Sequence, residues 1–133
     1  MIELIIGQEA SISKSFSDKD VELFTKLSLD NNPVHLEDDF AAQTIFKKRI
    51  VHGYLYGSLI SAVLGTKLPG PGSIYLHQEM NFKKPVYLNE NVTATVKVTD
   101  INHEKSLIYL DTFCTKNDDK QIVLAGKAII KLV

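Results

Sequence analysis

The segment Tyr54 to Leu64 constrains this chain more than any other. Leu55, Leu59, Ile60, Val63 and Leu64 are apolar over much of a helical circumference, so the helix offers little surface to water and must be wrapped by the rest of the chain. The wrapping follows it. Ser73 to Phe82, Asn91 to Ile101, Ser106 to Thr115 and Gln121 to Leu132 read as strands. In the second of these, Val92, Ala94, Val96 and Val98 alternate with Thr93, Thr95, Lys97 and Thr99, which gives one apolar and one polar face. A further strand is expected over Glu9 to Phe16, where Ala10, Ile12, Lys14 and Phe16 interleave with serines. The result is an α+β domain with an antiparallel sheet around one buried helix, expected to occupy residues 1–133 as a single unit. A sheet used this way leaves an edge or face to cover, which favours pairing of two copies.

Between the first strand and the buried helix the chain is punctuated. Ser17 reads as a helix N-cap with Asp18 and Asp20 in the first turn, and Val21, Phe24 and Leu27 fall at helical spacing, so a helix is predicted over Asp18 to Leu29. Asp30-Asn31-Asn32-Pro33 breaks it, because Pro33 disfavours helical geometry at Asn32. A short helix is predicted from Glu37 to Thr44. Leu68-Pro69-Gly70-Pro71-Gly72 must be a loop, and Lys116-Asn117-Asp118-Asp119-Lys120 has the make-up of a hairpin loop.

Composition excludes several functions. Fifteen basic residues against 16 acidic ones leave a formal charge of −1, with no excess of cations for non-specific nucleic-acid binding. No run approaches the roughly 20 apolar residues of a membrane span. Met1 to Gly7 is too short and acidic for a secretory signal. One cysteine, Cys114, permits neither an intramolecular disulfide nor a Cys-rich zinc site, and points to a reduced, cytoplasmic protein with Cys114 as a core thiol. His77 and His103 have no metal-ligand spacing around them, so no metal is expected.

Three features can carry chemistry. In Asp30-Asn31-Asn32-Pro33-Val34-His35 a carboxylate and an imidazole flank a turn stiffened by proline, so both can aim at one point as an acid–base pair. The same residues also suit a purely structural role, with Asp30 closing an Asx turn and His35 bonded within the fold. His52-Gly53 opens the buried helix, whose first amides lack internal acceptors. Gly53, without a side chain, would let a carbonyl oxygen reach its N–H, or would simply allow a sharp turn. Ser61 lies on a stripe of small residues, Gly53, Gly57, Ser61 and Gly65, which suits close approach of either a ligand or the sheet. Lys47-Lys48-Arg49 can meet phosphates or lie on a solvated surface.

Asp30 to His35 resembles the D-x-N-P-hydrophobic-H motif of the MaoC-like, or hydratase-2, family. Arg49-Ile50-Val51-His52-Gly53 is similar to its R-I-x-H-G stretch at the expected distance. Pro69 to Tyr75 and Phe82-Lys83-Lys84-Pro85-Val86 resemble its loop and following strand, and the likeness runs from about residue 8 to the C-terminus. Leu29 departs from it, since many members place a small or polar residue before the aspartate.

The resemblance implies a hot-dog fold, a homodimer with a joined sheet, and acyl-thioester binding near the dimer interface. It implies Asp30 and His35 as the catalytic pair, Gly53 as the backbone oxyanion donor, and Ser61 near the active site. His52, Tyr54 and Leu64 are further candidates for substrate contact. The implied activity is (R)-specific hydration of trans-2-enoyl-CoA, without metal or redox cofactor, CoA being part of the substrate. Leu64, Ile60, Ile129, Tyr54 and Tyr56 are bulky enough to suggest short acyl groups. Lys47 and Lys48 are candidates for the CoA phosphates. The alternatives are a dehydratase acting on acyl carrier protein, a thioesterase on the same fold, and a non-catalytic acyl-thioester-binding protein.

Overall fold

A computed structural model describes residues 3–118 and 120–133. Met1, Ile2 and Asp119, which belong to the N-terminal stretch and the hairpin loop read above, lie outside the described residues. The elements run β1 (Glu9–Ser15), α1 (Asp18–Ser28), α2 (Pro33–Leu36), α3 (Asp38–Ala42), α4 (Gly53–Thr66), β2 (Ser73–Phe82), β3 (Asn91–Asn102), β4 (Leu107–Lys116) and β5 (Gln121–Leu132). All neighbouring strands are antiparallel, in the order β1-β3-β4-β5-β2.

The predicted alternation in β3 sets the layers. Val92, Ala94, Val96 and Val98 are fully buried and face α4. Ile60, Val63 and Leu64 of α4 are no more than 1% exposed, and meet Ile108, Leu110 and Cys114 of β4 and Leu124, Ala128 and Ile130 of β5 in one cluster. Each large apolar side chain so enclosed stabilises the fold by roughly 1.5–3 kcal/mol before entropy is counted. Burial pushes the Cys114 thiol up to about 12, which makes it an unreactive core residue.

On the opposite face the register lines up a run of alternating charge. Glu9 lies opposite Lys97, Lys97 opposite Asp111, Asp111 opposite Lys127, and Lys127 opposite Glu79, so all five strands take part. Slipping β3 by one residue would replace Lys97 with the buried Val96 or Val98, so charge and burial select the same register there.

The connection between α1 and α4 departs from expectation. Ser17 does cap α1, with a reciprocal bond from its own N–H to Asp20. The helix stops at Ser28, and Leu29 adopts a left-handed conformation with φ of 67°. As expected, α1 ends before Pro33, but Pro33 also starts an unpredicted helix, α2. Asn32 is extended, its side-chain oxygen accepts the Val34 N–H at 3.2 Å, and Pro33 occupies the first helical position, where its missing N–H costs nothing. Proline's restriction on the residue before it is what an N-cap requires. The predicted helix over Glu37 to Thr44 is shorter, Asp38–Ala42, and the Thr44 hydroxyl bonds back to the Ala41 carbonyl.

Candidate active site

Asp30 and His35 reach one place because α2 is a single turn between them. Asp30 stands just past the end of α1, and its Oδ1 accepts the Asn32 N–H at 3.3 Å in an Asx turn. The structural role open to it is therefore real, and it engages one of the two carboxylate oxygens. His35 is 8% exposed at the far end of the turn. Its Nδ1–H donates to the Ile50 carbonyl at 2.8 Å. A carbonyl can only accept, so this bond places a proton on Nδ1 and makes Nε2 the acceptor of the neutral ring.

The segment before α4 grips both halves of the first motif. The Arg49 Nε–H donates to the main-chain carbonyl of His35 at 2.8 Å, and its Nη2 meets Asp18 at the start of α1. Ile50 supplies the acceptor for His35. His52 Nε2–H donates to the main-chain carbonyl of Asp30 at 3.1 Å, and its ring stacks on that of His35 with centroids 3.8 Å apart. Desolvation by burial, and then the neighbouring His35, hold the His52 imidazole below the usual histidine range against the pull of Asp30. Gly53 follows directly. Its N–H, the first of α4, has no acceptor among the described residues.

These groups surround a cavity of about 430 Å³. Asp30, His35, His52, Gly53 and Tyr54 all line it, together with Tyr56 and Phe82. The sequence reading brought these first five to one site. The other two predicted site residues, Ser61 and Leu64, do not line this cavity. Ser61 is exposed and faces a second groove with Gly57, Tyr75 and Met80. Leu64 is 1% exposed in the core and lines neither groove. Its expected substrate contact is corrected: Leu64, one position before Gly65 of the small stripe, packs in the core cluster with the sheet. The stripe itself divides. At Gly53 a Cβ would lie 2.6 Å from the Phe82 ring, and at Gly57 it would lie 3.2 Å from Met80 Sδ, so close packing against β2 explains both. Gly65 has open space around it.

Lys47 and Lys48 lie beside a neighbouring depression with Asp38, Asp39 and Tyr87, not in the main cavity. Lys83 and Lys84 line the cavity instead. Sequence reasoning quoted them only as part of a motif and assigned them no role. The available signal was the pair of lysines directly after a predicted strand end.

One ligand atom each from Asp30, His35 and His52 falls within 4.8 Å of the others. The stacked imidazoles keep their lone pairs in nearly parallel planes, and one ring nitrogen of each already bonds a carbonyl. That arrangement suits proton transfer better than convergence on a cation.

A five-stranded antiparallel sheet curled about one buried helix is the hot-dog fold, and Asp30, His35 and Gly53 line one cavity on it. Residues 6–113 match the MaoC like domain family, and the chain belongs to that family. It is similar to the (R)-specific enoyl-CoA hydratase of Rhodospirillum rubrum, 48% identical over 125 residues that cover 94% of this chain and 81% of that protein. The (R)-specific enoyl-CoA hydratase of Aeromonas caviae is 44% identical over 97% of this chain and 96% of its own. A solved structure of an (R)-hydratase from A. caviae involved in PHA biosynthesis superposes with a TM-score of 0.94, covering 98% of each chain at 44% identity.

Proposed function

We propose that the protein is an (R)-specific enoyl-CoA hydratase, a hydro-lyase that adds water reversibly to trans-2-enoyl-CoA. The observation that carries this is the convergence of Asp30, His35 and the unbonded Gly53 N–H on one cavity. The thioester carbonyl accepts from Gly53 N–H at the positive end of α4, which draws electron density from C3 and stabilises the enolate that develops. Asp30 and His35 hold one water between them. One takes a proton from it as its oxygen adds to C3, and the other delivers a proton to C2 on the same face. The proton then passes between the two groups and restores the site. The sum is one water added and no change of redox state, so the chemistry asks for no redox cofactor, and CoA enters only with the substrate.

Lys83 and Lys84 place positive charge at the cavity, where the phosphates of CoA or of a carrier protein's prosthetic arm would enter. Tyr56 and Phe82 in the wall favour short acyl groups. The edge strand β2 exposes Ile74, Tyr75, Leu76 and Phe82, and Tyr54 of α4 is also exposed, which supports a homodimer joined along that edge. No helix among the described residues is long and apolar enough to cross a membrane. The proposed setting is the cytoplasm.

The test follows crotonyl-CoA by loss of enoyl absorbance and assigns the product's hand with an (R)-specific dehydrogenase. Asp30→Asn and His35→Ala should each reduce turnover by about 10²–10⁴-fold with the fold intact. Near-normal turnover in both would end the assignment. Release of free thiol would favour a thioesterase, and a higher rate on the carrier-protein thioester would favour the dehydratase of fatty-acid synthesis.

A further inference from the structure

His52 lines the cavity, yet only 2% of it is exposed, so its position serves something other than substrate contact. Its ring is held on three sides. His35 stacks on one face with an interplanar angle of 25°, Phe24 meets it edge-on at 4.9 Å, and Nε2 lies 3.1 Å from the Asp30 carbonyl and 3.4 Å from Thr25 Oγ1. The carbonyl only accepts, so Nε2 carries the proton. Nδ1 is buried without a partner. A bare lone pair is tolerable there. A second N–H would be an unpaired buried donor on a charged ring, so the neutral Nε2–H form is the one the site accommodates.

Asp30 depends on this bond. Its other hydrogen bonds among the described residues, from its own N–H to Ser28 Oγ and from the Asn32 N–H to its Oδ1, reach no further than two residues along the chain. The bond from His52 is the one that ties Asp30 to a distant element, and that element begins with Gly53. We propose that His52 is a positioning residue: by donating Nε2–H to the Asp30 carbonyl and backing the His35 ring, it holds the acid–base pair in register with the Gly53 amide. The inference rests on the roles proposed above for Asp30 and His35.

The experiment measures kcat and KM with crotonyl-CoA for His52→Leu, His52→Gln and His52→Asn, alone and with Asp30→Asn. Loss of the donor should lower kcat by about 10–100-fold in His52→Leu and leave KM within about threefold, as misplacing a reacting group does. Gln can put its amide nitrogen near the Nε2 position and should recover most of kcat. Asn is too short and should not. In the Asp30→Asn background the Leu substitution should cost less than about threefold more, because the partner it acts through has already lost its function. Equal kcat in the Gln and Asn variants, an effect confined to KM, or fully additive losses would overturn the proposal. Should His52→Leu not fold, the comparison of Gln with Asn still decides it. Near-normal turnover of Asp30→Asn alone would instead overturn the hydratase roles, whatever the His52 variants do.

Discussion

The guanidinium of Arg49 holds the main-chain carbonyl of His35 at 2.8 Å while its other end pairs with Asp18 at the start of α1. The two residues are fourteen apart in sequence, and their bond sets where α2 ends relative to α1 and α4. The Arg49 side chain is 13% exposed and that of Asp18 59%, so the inner bond matters more than the outer pair.

Arg49→Lys should therefore be far from conservative. One ammonium cannot serve two partners that a planar fork reaches together. Stability should fall by about 1–3 kcal/mol, and kcat by about tenfold as His35 loses its anchor. Asp18→Asn should leave kcat unchanged. Urea unfolding and crotonyl-CoA kinetics on both variants check this, and wild-type kcat in Arg49→Lys would refute it.

Leu29 should be a point of avoidable strain. It is left-handed at φ of 67° and 82% exposed, so its side chain gains little burial while its Cβ meets the cost of that conformation. Leu29→Gly should raise stability by about 1 kcal/mol, the amount by which glycine relieves a left-handed cap after its greater unfolded-state entropy is subtracted. Thermal unfolding should show a higher midpoint. An unchanged or lower one would mean that the leucine side chain has a compensating contact.

Gly126 should tolerate no side chain. A Cβ there would lie 1.7 Å from the Glu79 carbonyl oxygen, a backbone atom that cannot turn aside. β2 would have to leave β5 near the Met80–Gly126 pair. Gly126→Ala should lose about 3 kcal/mol or more, at the upper end of overpacking costs, and chemical denaturation should report it. By contrast Gly65→Ala, in open space on α4, should be neutral or stabilising.

His52 should make the protein acid-sensitive. Its pKa is lowered from 6.5 in the fold, so on acidification the unfolded chain takes a proton that the folded chain refuses. The contribution to stability is whole above pH 6.5 and is lost as pH falls toward the folded value. His52→Gln should unfold in urea with a shallower pH dependence just below pH 6.5. Parallel pH profiles in the two proteins would contradict it.

Much of this was readable along the chain because the signals are local. The alternation in β3 is a property of neighbouring residues, and the bounds Ser73–Phe82 and Gln121–Leu132 follow from flanking turn residues. Asp30 and His35 are close enough in sequence that one turn decides whether they meet. Where reading failed, the same signal had two meanings. The Asn-Pro pair both follows the end of one helix and starts the next, and only the bond from Val34 N–H to Asn32 reveals the second role.

The sequence by itself determined the buried helix, the strands that wrap it and the motif residues that face one another, because apolar period and turn chemistry act over a few residues. Only the tertiary structure decided that Arg49 and His52 hold the backbone beneath His35 and Asp30, that Lys83 and Lys84 reach the cavity in place of Lys47 and Lys48, and that Ser61 and Leu64 do not. Those outcomes depend on which donor finds a carbonyl far along the chain, and on the phase at which α4 meets β2. No window of neighbouring residues contains either.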